Sequence, residues 1–133
     1  MKTTNFAALL VALALAAFAQ NSAPRDWDSL DQQLEQAYLK GDLPESLRLA
    51  KLAVDAASNP KQSGRSLDRL GYLYYVSGNL KDGEAFLRKG IEIRRTQIGP
   101  DTAEYAESAN DLALFCRDTR KLDEARTLGE QAV

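Results

Sequence analysis

One passage of this chain is written twice. Residues 66–93 read SLDRLGYLYYVSGNLKDGEAFLRKGIEI, and residues 108–133 read SANDLALFCRDTRKLDEARTLGEQAV. Leu80 aligns with Leu122 at an offset of 42 residues, and at the same offset Ser66 meets Ser108, Leu70 meets Leu112, Gly71 meets Ala113, Asp82 meets Glu124 and Gly83 meets Ala125. A repeat of this length built from two amphipathic stretches is the mark of stacked helical hairpins, an α-solenoid, in which each unit buries its apolar face against the next. That architecture implies a class of work, the holding of other molecules, without naming them.

The periodicity extends upstream. Leu30, Leu34, Ala37 and Tyr38 form one helical stripe between Asp26 and Lys40, with Asp26 or Asp28 as the N-terminal cap. Gly41-Asp42 ends that helix, and Pro44 sits near the start of the next, which runs to about Ala57 with Leu47, Ala50, Leu52 and Val54 on its inner side. Ser58-Asn59-Pro60 is read as its stop. A second hairpin begins near Gln62, with Leu67, Leu70, Gly71 and Tyr74 as its stripe, Ser77-Gly78-Asn79 as its turn, and a return helix over 80–97 carrying Phe86, Leu87, Ile91 and Ile93. Ile98-Gly99-Pro100-Asp101 breaks the chain before a third hairpin, about 102–118 and 122–133. No stretch alternates with period two, so the expected class is all-α: three hairpins in an α-α superhelix, with repeats at about 27–60, 64–100 and 106–133.

Residues 1–19 stand apart. Lys2 precedes an apolar run from Phe6 to Phe18, and Ala17-Phe18-Ala19 gives an A-x-A cleavage pattern before Gln20. This is the layout of a secretory signal peptide, and the run is shorter than the roughly 20 residues that span a bilayer. Residues 20–25 read as a polar linker and 26–133 as the domain. The expectation is an exported protein, periplasmic or secreted, cleaved after Ala19 and then free of the membrane. An uncleaved anchor is the alternative.

Composition narrows the chemistry. The chain has no histidine and a single cysteine, Cys116, which excludes His-based triads and an intramolecular disulfide. The formal net charge is −2 with charges interleaved along the helices, so nucleic acid is not an expected partner. The carboxylate pairs Glu104/Glu107 and Asp123/Glu124 lack an apolar shield, and Gly99-Pro100-Asp101 has no second glycine or lysine to cradle phosphate. Cys116 reads as a small buried hydrophobe. No catalytic residue, metal ligand or cofactor site emerges, so the chain is not read as an enzyme.

The repeats resemble the tetratricopeptide repeat. The middle copy supplies Leu70, Gly71 and Tyr74, then Gly83, Leu87 and Gly90; the last supplies Leu112, Ala113 and Cys116, then Ala125, Gly129 and Ala132. The first copy supplies Leu30, Ala37, Gly41, Ser46, Ala50 and Ala53, with Leu34 where the family has a small residue and a shorter step of 37 residues from Leu43 to Leu80. Ile98-Gly99-Pro100-Asp101, Asn110-Asp111-Leu112-Ala113 and Leu122-Asp123-Glu124-Ala125 are similar to the kinesin-light-chain-type subclass. The resemblance implies a right-handed superhelix whose first helices line a concave groove that binds a protein or peptide.

Mapped onto this chain, the resemblance makes Asp28, Asp31, Gln32, Glu35 and Tyr38 groove-facing in the first repeat, Arg65, Asp68, Arg69, Tyr72 and Tyr75 in the second, and Glu107, Asn110, Asp111, Leu114 and Arg117 in the third. Spacings of three and four place Arg65, Asp68, Arg69 and Tyr72 on one polar-aromatic ridge. Arginine and tyrosine are frequent anchors of interfaces, an Arg pair suits a ligand carboxylate, and Asn110 suits a peptide main chain. The plainer alternative is that the charges form surface ion pairs and the tyrosines pack between repeats. Ala125, Leu128 and Val133 are expected to leave an apolar strip on the last helix. That strip suggests self-association through an open end, or an N-terminal recognition fragment of a larger multidomain exported protein or enzyme.

Overall fold

In a computed structural model, residues 26–133 are described; the expected signal peptide at 1–19 and linker at 20–25 lie outside them. The described residues form six α-helices and no strand: α1 Trp27–Leu39, α2 Leu43–Ala56, α3 Pro60–Val76, α4 Leu80–Ile93, α5 Ala103–Asp118 and α6 Leu122–Gln131. They pair as α1/α2, α3/α4 and α5/α6, and the hairpins stack through α2 on α3 and α4 on α5. This is an α-α superhelix of three hairpins.

Side-chain caps set most of the helix starts. Asp26, Asp42, Asn59, Asn79 and Thr102 each accept a hydrogen bond from the backbone N–H three residues on, satisfying a donor that has no partner inside the helix. Asn59 explains a difference from the sequence reading. Pro60 does not stop the first hairpin but opens α3, where its fixed φ and missing N–H are harmless. The turns at Gly41 and Gly78 use φ of 73° and 86°, and Arg120, at the equivalent place in the third hairpin, adopts φ 64° without glycine's freedom.

The inner face of α2 also differs. Ser46, Leu49, Ala50 and Ala53 are buried, whereas Leu47, Leu52 and Val54 are half-buried and flank the same cluster. The helix is packed between α1 and α3, so apolar residues on two sides of it find cover and a single stripe understates its contact. The return helix of the second hairpin is shorter than expected. It ends at Ile93 and passes into a five-residue π-helical turn, Arg94–Ile98, closed by a 2.8 Å bond from the Gly99 N–H to the Arg94 carbonyl.

Two apolar clusters fill the structure. One joins the first hairpin to α3 through Leu30, Leu34, Leu49, Leu70 and Leu73, with Tyr74 stacked on Phe86 beside it at 5.6 Å between ring centres. The other joins α4, α5 and α6 through Leu87, Leu112, Phe115, Cys116 and Leu128. Ala125 packs on this second cluster and Leu128 lies within it, so the apolar strip expected on the last helix turns inward; of its three residues only Val133 is exposed.

The helices of the middle hairpin cross at a glycine. A Cβ on Gly71 would stand 2.8 Å from both the Leu87 Cγ and the Leu87 backbone N, and 3.0 Å from the Gly83 carbonyl oxygen. Backbone atoms cannot move aside as a side chain does. Gly71→Ala is therefore expected to lower unfolding free energy by about 1–3 kcal/mol through overpacking. Gly129 lies inside α6 with nothing within 4 Å of its would-be Cβ. Gly129→Ala should raise stability by roughly 0.5–1 kcal/mol, and urea denaturation of the two variants checks the opposite signs.

Candidate functional site

The first helices of the three hairpins border an open cavity of about 310 Å³. Leu34, Glu35 and Tyr38 line it from α1; Arg65, Asp68, Arg69, Tyr72 and Leu73 from α3; Glu107 and Asp111 from α5; and Arg94 from the π-helical turn. The 3.6-residue period brings Arg65, Asp68, Arg69 and Tyr72 to one side of α3, and the stacking of hairpins sets α1 and α5 on either side of it.

The α1 wall is electrically closed. Arg65 approaches Asp31 at 3.2 Å, and Arg69 lies 3.2 Å from Asp31 and 2.8 Å from Glu35. The two guanidiniums read from sequence as a ligand carboxylate holder are thus occupied by carboxylates of the neighbouring repeat. Above them the hydroxyls of Tyr38 and Tyr72 share a 3.3 Å hydrogen bond, and the two rings meet edge to face at 6.2 Å. That bond, with partial burial, pushes the Tyr72 hydroxyl pKa up to about 12, so it stays a neutral donor and acceptor.

Asp68 does not stand on an exposed ridge. It is 5% exposed, wedged between α3, the π-helical turn and α5. Its Oδ2 accepts a 2.5 Å hydrogen bond from the Ser108 hydroxyl and lies 3.3 Å from the Arg94 guanidinium. Arg94 is itself buried, reaches Glu107 at 3.2 Å and donates to the Glu104 carbonyl. Helix spacing alone puts Asp68 on an open face; α5 covers that face from the side. Two glycines make room for the pair: a Cβ on Gly90 would overlap Asp68 Oδ1, and one on Gly64 would fall 2.8 Å from Arg94 Cγ. Burial pushes the Asp68 carboxyl up to about 7, although Arg94 and Ser108 both pull it down. Burial likewise raises Asp111, with Glu107 adding to the effect and Arg94 opposing it.

The remaining candidates fall outside the cavity. Tyr75 donates to the Asp118 carboxylate and meets the Phe115 ring edge-on at 5.5 Å, so it ties α3 to α5. Arg117 is exposed and holds the other oxygen of Asp118 at 2.9 Å. Asn110 and Leu114 are exposed on α5 away from the cavity lining. The cavity therefore gathers Glu35, Tyr38, Arg65, Asp68, Arg69, Tyr72 and Asp111, and leaves Tyr75, Asn110, Leu114 and Arg117 beside it. Arg94 escapes a sequence reading because its inward position depends on the π-helical turn. The available signal is the pair of helix-interior glycines, Gly64 and Gly90, which mark a close approach. Cys116 is fully buried, and burial raises its thiol pKa, so it stays protonated.

The tetratricopeptide repeat family model matches residues 62–133, more than half of the chain. Among solved structures, the crystal structure of BtubC (BKLC) from P. vanneervenii superposes with a TM-score of 0.66 at 17% identity, covering 79% of this chain. The chain spans 43% of that structure's length, and at this identity the likeness is one of fold. No curated protein matches this chain.

The buried pair makes two measurable demands. Arg94→Met leaves Asp68 uncompensated and should cost about 3–5 kcal/mol of stability at pH 8, whereas the Asp68→Asn/Arg94→Met double variant should lose less than Arg94→Met alone. Asp68 also sets a pH window, because its carboxyl rises from 3.8 to about 7 on folding. Between those values the folded chain holds a proton that the unfolded chain releases. The associated stability is complete below the lower value and is lost as pH rises to the upper one. Urea titrations across this window should show that downward slope in the native chain and lose it in Asp68→Asn.

Proposed function

The chain belongs to the tetratricopeptide repeat family, whose repeats generally mediate protein–protein interaction, and on that premise we propose that it is an exported scaffold holding a protein or peptide against the face formed by α1, α3 and α5. The observation that carries this reading is the 310 Å³ cavity to which all three hairpins contribute side chains. Tyr38 and Tyr72 are 44% and 37% exposed, large enough and open enough to anchor a partner. Their mutual hydrogen bond and the ion pairs beneath them fix the surface before a partner arrives, which lowers the ordering cost of binding. The assignment to the kinesin-light-chain-type subclass rests on Ile98-Gly99-Pro100-Asp101 and Asn110-Asp111-Leu112-Ala113.

Export rests on residues 1–19 alone. Mass spectrometry of the full chain, tagged at its C-terminus and produced in its own cells, is expected to find a mature N-terminus at Gln20 outside the cytoplasm. Recovery of the uncut chain in the cytoplasmic fraction would end the export reading. The same tagged chain tests the groove. Tyr38→Ala/Tyr72→Ala removes exposed rings without touching the buried pair, and is expected to weaken capture of the native partner by about 2 kcal/mol or more, roughly thirtyfold, with helicity unchanged. Equal capture by native and variant chains would remove the binding site from this face.

A further inference from the structure

We propose that the cavity receives a positively charged side chain, a lysine or arginine presented by an extended segment of the partner, seated between the Asp111 carboxylate and Tyr72. The inference rests on the groove reading above and adds the chemistry of its ligand.

The charges on the two walls are unequal. On the α1 side two guanidiniums, Arg65 and Arg69, face two carboxylates, Asp31 and Glu35, within ion-pair distance. Toward α5, three carboxylates, Asp68 from α3 and Glu107 and Asp111 from α5, share the single guanidinium of Arg94, which lies within ion-pair distance of the first two. Asp111 is left over. Among the described residues, every other carboxylate that is buried or half-buried has a cationic partner within 4.0 Å. Asp111 is half-buried, lines the cavity and has none.

A half-buried carboxylate with no cation at ion-pair distance is costly, Arg94 offsets that only from further off, and the cost falls when a cation arrives. Tyr72 borders the same space with its ring and its neutral hydroxyl, which suit an ammonium or guanidinium. An anionic ligand fares worse. It would compete with Asp31 and Glu35 for Arg65 and Arg69, and would then face the surplus of carboxylates toward α5. A volume of 310 Å³ is at the small end of ligand pockets, the scale of one long side chain rather than of a folded element.

The probe is a set of blocked peptides, acetyl-Gly-Ser-X-Ser-X-Ser-Gly-amide with X as lysine, glutamate or glutamine, titrated into the isotopically labelled full chain and followed by amide and side-chain resonances. The lysine peptide is expected to move Tyr72 and Asp111, to weaken as salt rises, and to lose about tenfold in affinity in Asp111→Asn. Asp111→Glu should retain binding, which separates charge from packing, and circular dichroism checks that both variants keep their helices. Glutamate peptide binding at Tyr38 and Tyr72 more tightly than lysine would overturn the sign of the ligand while leaving the groove reading intact. Lysine peptide binding unchanged in Asp111→Asn, or absent at millimolar concentration, would also overturn the proposal. Shifts confined to surfaces outside the cavity would overturn this inference and the groove reading together.

Discussion

The buried Asp68–Arg94 pair, bonded to Ser108, Glu104 and Glu107, ties the last two hairpins together. Asp68 comes from the first helix of the second hairpin, Arg94 from the turn that leaves it, and Ser108 from the first helix of the third. Glu107 contacts the same guanidinium, and Asp111 lies near enough to feel its charge. A buried ion pair contributes little net stability, because desolvation offsets most of the attraction. Its removal by halves is another matter, since the surviving charge has nowhere to go. Any other stacking of α5 on α3 would take the Ser108 hydroxyl from Asp68 and Glu107 and the Glu104 carbonyl from Arg94, leaving the buried pair under-satisfied. Shape reinforces this: the absent side chains of Gly64 and Gly90 are the space that Arg94 and Asp68 occupy.

Much of this architecture is legible in the amino-acid sequence. The 42-residue offset sets the hairpins, their order and most of their ends, because caps and glycines act locally and leave residues that can be read. Gly71 announces a close helix crossing, and it meets Leu87 there. What does not show is whatever depends on a second layer. Pro60 reads as a stop because a proline ends one helix and opens another with the same chemistry, and only the Asn59 cap decides between them. Asp68 reads as part of an open ridge because a helical period reports which residues share a face, not what covers that face. Arg94 is hidden because a π-helical turn shifts the register of the last residues of a helix, and no periodic pattern marks it.

The same distinction sorts the candidate site. Residues whose roles depend on one helix, such as Tyr38 and Tyr72, lie where spacing puts them, at the rim of the cavity. Arg65 and Arg69 reach the same place, but their charges are already engaged by Asp31 and Glu35, each 34 residues upstream of its partner. Tyr75 and Arg117 converge instead on Asp118 and belong to the joint between α3 and α5. A list of polar residues on a groove therefore overstates what is free to meet a partner. The pairing between repeats has to be subtracted first, and the remainder is small.

That remainder gives the cavity its character. Solenoid repeats share a backbone plan, so specificity on such a surface arises where one repeat departs from the pattern of its neighbours. Here α1 and α3 neutralise one another across their boundary, while α3 and α5 meet across a boundary with more carboxylate than guanidinium. The excess sits on Asp111, half-buried on the cavity wall. Tyrosines linked edge to face, Tyr38 to Tyr72 to Tyr75, run along the same helices at 6.2 Å between ring centres and stiffen the surface further. On the proposed reading, a slightly acidic, aromatic-rimmed cavity whose ion pairs and ring contacts are already made would select chiefly by charge sign.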